Sequence, residues 1–198
     1  MNWLAHIYLS DATPQFRVGN LLPDLAPVSQ LQALPENYQQ GIRRHRQIDI
    51  FTDAHPRWKS CVLRFPTPYR RFGGILTDIY FDHLLARDWT KYSIVPLRRF
   101  VDDFYCDLEV CLPEIPQHAA AVLARMREQD WLASYARIAG ISGILKRISC
   151  RLRRPFDLAG SLPIFEQQES GFHGDFHVFF AELIRHVQAV PIGDADLL

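Results

Sequence analysis

The sequence predicts an all-α fold, a single-domain helical bundle. Apolar residues recur at helical spacing between prolines, and no stretch alternates cleanly over six residues between hairpin-type turns. At 198 residues, with 48% hydrophobic against 22% charged, the chain can bury a real core and is not disordered. No internal repeat, low-complexity segment or Gly/Ser-rich linker divides it, so 1–198 reads as one helical domain.

Prolines mark most element boundaries. The opening MNWLAHIYLS is apolar, too short for a signal peptide or a membrane span, and reads as a helix over 2–10. A helix over 15–27 follows Pro14, one over 36–54 follows Pro35, and one over 57–65 lies between Pro56 and Pro66. Further helices are expected over 68–91 from Pro68, over 95–111 around Pro96, and over 117–127 after Pro116. The last three cover 130–138, then 141–152 ahead of Pro155, and 162–188 ahead of Pro191.

The formal net charge is zero, which excludes a global field for nucleic acid or a membrane surface. Arginines nevertheless cluster at 43–46, 70–71, 98–99 and 146–154. Cys61, Cys106, Cys111 and Cys150 form no CxxC pair, which disfavours a zinc ribbon or a thioredoxin-type site. A reduced, cytoplasmic setting is the expectation.

Three segments carry the candidate chemistry. In 38–53, His45 and Asp49 are four apart on one helix face, with Asp53 a turn further. Such a pair can share a metal while another carboxylate orients the imidazole; taken alone, a surface His–Asp hydrogen bond is the simpler reading. Arg43 and Arg46 could clamp a phosphate in bidentate fashion, and Arg44 is the neighbour expected in solvent. In 73–89, Asp78 and Asp82 share a stripe with Leu85 and Trp89 on a helix that should be largely buried. Burying two carboxylates is costly unless a cation or hydrogen bonds offset it. His83 lies roughly 140° around from Asp78 and would reach that site only from its edge, or else bond a backbone carbonyl in the core. The third segment holds Asn2, His6 and 19–24. His6 has the surroundings of a satisfied core histidine, and Asp24, after Pro23 in an apolar run, has either a chemical task or a turn to cap.

Imidazole and oxygen ligands without thiolates suit Mn²⁺, Mg²⁺ or Fe²⁺ better than structural zinc. Such an ion would polarise a phosphoryl oxygen and acidify water, so metal-dependent phosphodiester hydrolysis is the expected reaction class. GxSxG, P-loop, GxGxxG and HExxH patterns are absent. His173 and His177, four apart beside Phe172, Phe176, Phe179 and Phe180, are expected as core or surface histidines.

Several of these residues form an ordered set. It comprises Asn2-Trp3-Leu4-Ala5-His6, Gly19-Asn20-Leu21-Leu22 with Asp24, and Gly41-Ile42 followed by His45-Arg46-Gln47-Ile48-Asp49. Thr52-Asp53, Asp78 with Asp82-His83, Trp131 and Arg151 through Arg154-Pro155 complete it. The set resembles the acyl carrier protein phosphodiesterase family over most of the chain, most densely before residue 90. The resemblance implies an HD-like helical fold and a Mn²⁺-dependent hydrolase that frees 4′-phosphopantetheine from the serine of holo-acyl carrier protein. It makes Asp24, His45, Asp78, Asp82 and His83 the metal and catalytic set, with His6 close by, and Asp49 joins on its spacing to His45. The expected catalytic residues are then Asp24, His6 and His83, and the expected ligands Asp24, His45, Asp49, Asp78 and Asp82. The adjacent His-Asp dyad of HD enzymes is missing, for Asp82-His83 runs in reverse and His45 precedes Arg46. An acidic carrier protein would dock on a basic face, with Arg151 and Arg154 foremost in 146–154, or else on Arg70-Arg71. Two other readings stay open: an HD-type nucleotide or small-molecule phosphohydrolase, and a non-catalytic module that binds an acidic protein.

Overall fold

In the computed structural model of the chain, which describes residues 1–192, the helical pattern is realised without a strand among the described residues. The first six α-helices are α1 Trp3–Tyr8, α2 Pro14–Gly19, α3 Val28–Leu31, α4 Glu36–Ala54, α5 Pro56–Arg64 and α6 Gly73–Arg87. Then come α7 Leu97–Cys111, α8 Gln117–Glu128, α9 Trp131–Ser134, α10 Ile138–Ser149, α11 Leu162–Gln167 and α12 Glu169–Ala189. None of them is long and apolar enough to cross a membrane.

Helix α4 keeps its expected bounds because both ends are punctuated. Pro35 precedes its first turn, where Glu36 complements the positive end of the helix dipole. At the other end His55 takes an extended conformation, as a residue before proline must, and its side chain accepts the Arg57 N–H to cap α5. Helix α12 presents Phe172, Phe176, Phe179 and Phe180 to the core, and it packs along α4, α5 and α6. Arg44, expected in solvent, is instead buried and donates to the Val187 carbonyl near the end of α12 at 2.7 Å. Helix α6 buries residues on nearly every face, from Leu76 to Ala86. Polar groups along it therefore need partners inside the protein.

Five of the expected helices take other bounds. The helix drawn over 15–27 ends at Gly19, since Pro23 cannot donate and Leu22–Asp24 form a 3₁₀ turn; α3 follows separately. The helix drawn over 68–91 is α6 with 3₁₀ turns at Tyr69–Phe72 and Trp89–Lys91 on its flanks. Asp130, at a left-handed φ of 49°, sets off the four-residue α9, and α10 starts at Ile138 instead of 141. The final helix divides at Gln168.

Helices α2 and α4 cross at unusually close range through two glycines. A Cβ on Gly41 would lie 2.2 Å from the Phe16 carbonyl oxygen and 2.7 Å from the Asn20 nitrogen. One on Gly19 would lie 2.5 Å from the Tyr38 carbonyl oxygen. Only residues without a Cβ let the backbone at Asn20 come this near to α4, and the candidate site depends on that approach.

Candidate metal centre

The crossing brings His6 of α1 and His45 with Asp49 of α4 into one group. Nε2 of His6 lies 3.3 Å from Oδ1 of Asp49, and Nε2 of His45 lies 3.1 Å from Oδ2. The two imidazoles stack with centroids 4.3 Å apart. Asp24, on the 3₁₀ turn, reaches within 3.7 Å of Nε2 of His45 through Oδ1, while its Oδ2 accepts from the Trp3 indole at 2.9 Å.

Asn20 fixes the direction of both rings. Its amide nitrogen donates to the His6 carbonyl and to Oγ of Ser10, each at 2.8 Å, so Oδ1 is the end that faces His6. Nδ1 of His6 therefore donates to Asn20 Oδ1 at 3.0 Å, and Nδ1 of His45 donates to the Asn20 backbone carbonyl at 2.8 Å. In the neutral form each ring, its proton on Nδ1, turns an Nε2 lone pair toward Asp49, the arrangement that metal-binding histidines need. Nε2 of His6 is buried and has no hydrogen bond, the 3.3 Å approach of Asp49 notwithstanding. An orphaned imidazole nitrogen, a second one beside it and a carboxylate between them fit a divalent ion with nitrogen and oxygen ligands.

Burial and close neighbours perturb the titration of all three groups. Burial, then the neighbouring His45, lower the pKa of His6, and Asp49 only partly offsets them. Burial also opposes protonation of His45, but the hydrogen bond and charge of Asp49 outweigh it and the pKa rises. Burial works against ionised Asp49 as well, yet His45 and His6 hold its carboxyl far below the usual carboxylate range. The Met1 α-amino group stands 3.5 Å from both Asp49 and Asp78, a positive charge on the flank of the group.

Above Asp24 opens a cleft of about 410 Å³ with mostly apolar walls. Trp3, Ile75, Trp131, Ile144 and Ile148 line it, and Arg147 and Arg151 stand at its side. Trp3 and Trp131 stack at 6.0 Å, and the Arg147 guanidinium lies over the Trp131 ring at 4.7 Å. Asp24 thus belongs to both the imidazole group and the cleft.

The family model described as acyl carrier protein phosphodiesterase matches residues 1–183. The chain belongs to the acyl carrier protein phosphodiesterase family. It is thereby an enzyme of the hydrolase class. A relative of that name from Photorhabdus laumondii is 31% identical over 191 residues, which cover 95% of this chain and 96% of the relative. Another from Yersinia pestis is 30% identical over 191 residues, covering 95% and 98%. One from Pectobacterium atrosepticum is 29% identical over 186 residues, covering 93% and 96%. No solved structure matches the chain.

In this family member the other expected site residues lie around the imidazole group in different ways. Asp78 accepts from the Trp58 indole at 2.8 Å and shares the Met1 ammonium with Asp49, so it borders the group. Both oxygens of Asp82 are taken by N–H groups of α1, from Leu4 at 2.7 Å and Ala5 at 3.2 Å. His83 donates through Nδ1 to the Tyr135 carbonyl at 2.7 Å and packs edge-on against Phe165. Arg43 pairs with Glu36 at the start of α4. Arg46 is half-buried next to His45, Asp53 and Arg154 are exposed, and Arg151 is exposed at the cleft. Asn20 had a legible signal, an amide side chain directly after a glycine in an apolar run, but its double hold on the histidines is a tertiary fact.

Asp82 makes a pH-dependent prediction. Burial pushes its carboxyl up to about 8, against the two N–H bonds that favour the anion. A folded pKa above the unfolded value, about 3.9, means that the folded state holds the proton more tightly. That stabilisation is complete below the unfolded pKa and is lost as pH rises through the folded one. In chelator-treated protein, the urea midpoint should therefore fall from about pH 5 to pH 8, and Asp82→Asn, neutral throughout, should flatten the fall. Equal slopes in the two proteins would exclude this account.

Proposed function

We propose that this chain hydrolyses the phosphodiester joining 4′-phosphopantetheine to a serine of acyl carrier protein, releasing apo-protein. We further propose that it does so with a divalent ion, Mn²⁺ ahead of Mg²⁺ or Fe²⁺, held by His6, His45 and Asp49 with Asp24 beside them. One observation carries the reading: Asn20 turns Nε2 of both His6 and His45 toward Asp49, next to a carboxylate that borders an apolar cleft. When bound, the ion supplies Lewis-acid polarisation of a phosphoryl oxygen and acidifies the attacking water. The balance is simple. Water oxygen joins phosphorus, the bond from phosphorus to serine oxygen breaks, and that oxygen takes up a proton.

The chain's own residues divide the remaining tasks. Asp24, anchored by Trp3 through Oδ2, offers Oδ1 to accept a proton from the incoming water. The pantetheine arm lies against Trp3, Trp131 and Ile148, and Arg147 with Arg151 hold its phosphate. Arg154, Arg153 and Lys146 extend the same positive face toward an acidic carrier protein. Arg46 is retained beside the phosphate, whereas Arg43 is committed to Glu36. His83 is buried and tied to Tyr135, so it supports the cleft wall rather than delivering a proton to the substrate.

Conversion of holo- to apo-carrier protein, followed by mass, tests the reading. Arg147→Ala and Arg151→Ala should each raise KM about tenfold, the value of one charge-assisted contact, with kcat little changed and salt dependence weakened. An unchanged KM in both variants would remove the phosphate-holding role. Cleavage of nucleotides in place of the carrier protein would select the HD-type nucleotide phosphohydrolase instead.

A further inference from the structure

His173 and His177 are part-exposed, as surface histidines would be, yet their rings do not simply face water. Nε2 of His173 lies 2.8 Å from Nε2 of His177, and Oδ2 of Asp88 lies 2.7 Å from the former and 3.0 Å from the latter. Asp88 caps the end of α6, so the three atoms join α6 to α12. We propose that Asp88, His173 and His177 form a second cation site, remote in sequence and separate from the His6–His45–Asp49 group. Its ligand is a divalent first-row transition ion with affinity for imidazole and an octahedral habit, such as Ni²⁺ or Co²⁺.

Proton counting supports the site first. Two Nε2–H groups cannot face each other at 2.8 Å, so at least one of these nitrogens is a bare lone pair turned toward a carboxylate. A cation satisfies all three atoms together, which a single proton cannot do. Spacing supports it second. Ligands about 2.1 Å from an octahedral ion are roughly 3.0 Å apart, against roughly 3.4 Å around a tetrahedral one. The edges of 2.7, 2.8 and 3.0 Å match one octahedral face, leaving the opposite face to water.

The surroundings supply the outer support that metal-bound histidines have. The Tyr92 hydroxyl stands 2.6 Å from Nδ1 of His177 and can accept its proton, which leaves Nε2 bare. Arg87 holds the other oxygen of Asp88 at 3.0 Å and fixes the carboxylate plane. Lys91 occupies Oδ2 at 2.9 Å, but its side chain is 55% exposed and can withdraw into solvent as an ion enters. Two imidazoles and one carboxylate favour the imidazole-seeking ions, in contrast to the more oxygen-rich first group beside Asp24.

Bound there, an ion clamps the end of α6 to α12 and stabilises the folded chain. Full-length protein freed of metal is titrated with Ni²⁺ by calorimetry, alongside the His173→Gln/His177→Gln double variant. The wild type should bind one equivalent more than the double variant, and Ni²⁺ should raise the Tm of the wild type by more. That difference of one equivalent is independent of whether the first group binds Ni²⁺, so the two proposals stand or fall separately. Matching Tm values in chelator, with matching circular dichroism, verify that the variant is folded. Phosphopantetheine release should be unchanged in the variant. Equal stoichiometry in the two folded proteins, or an equal rise in Tm, would overturn the site.

Discussion

Asp49→Ala lowers the kcat/KM for release of phosphopantetheine by roughly 10³-fold, about 4 kcal/mol of lost transition-state stabilisation, while circular dichroism stays that of the wild type. Asp49 is the carboxylate that both Nε2 atoms face, so its removal strips a charge from the middle of the ligand set. Its side chain is 40% exposed, and truncation opens no cavity in the core. Mn²⁺ affinity should fall in parallel, measured by titration of metal-free protein. Turnover within tenfold of wild type, with metal binding retained, would contradict the assignment of Asp49. Loss of turnover with metal binding intact would move Asp49 from ligand to another role.

Gly41→Ala has the largest expected effect on stability. The added methyl would meet the Phe16 carbonyl oxygen at 2.2 Å and the Asn20 nitrogen at 2.7 Å, both backbone atoms that cannot rotate away. Separating α2 from α4 should cost about 3 kcal/mol, read as a fall in the denaturation midpoint. It should also carry the Asn20 carbonyl away from Nδ1 of His45, so surviving folded protein would bind Mn²⁺ more weakly. Gly74→Ala is the contrasting control. Its methyl would meet only the Trp58 ring edge at 3.5 Å, an ordinary contact. A helical alanine there should be neutral or stabilising by up to about 1 kcal/mol. Equal stability of the two variants would mean that the close crossing is not what Gly41 provides.

Helix α4 could be read to the residue because its signals are local: a proline at each end and a regular apolar face between them. For the same reason the sequence exposes the pairing of His45 with Asp49, which needs only the pitch of one helix. Periodicity does not report which face of one helix meets which face of another. Asp78 and Asp82 share a stripe, yet Asp82 is consumed by the N–H groups at the start of α1, while Asp78 stops at the edge of the group. His6 looks like an ordinary core histidine in sequence, because the partner that orphans its Nε2 lies forty-odd residues away on α4. The helix drawn through 15–27 fails for a related reason. The apolar run continues across Asn20 and Pro23, but a proline has no N–H with which to carry the helical ladder forward, and the chain turns through Leu22–Asp24 instead.

The far wall of the cleft comes from Trp131 on the four-residue α9 and from α10, whereas the imidazole group is built on α1, α4 and the turn at Asp24. The near wall, Trp3 and Asp24, is shared with the imidazole group, while the far wall is not. On the proposed reading, sequence drift between residues 131 and 151 retunes the far side of the cleft and leaves His6, His45 and Asp49 in place, so selectivity can diverge while the chemistry is kept.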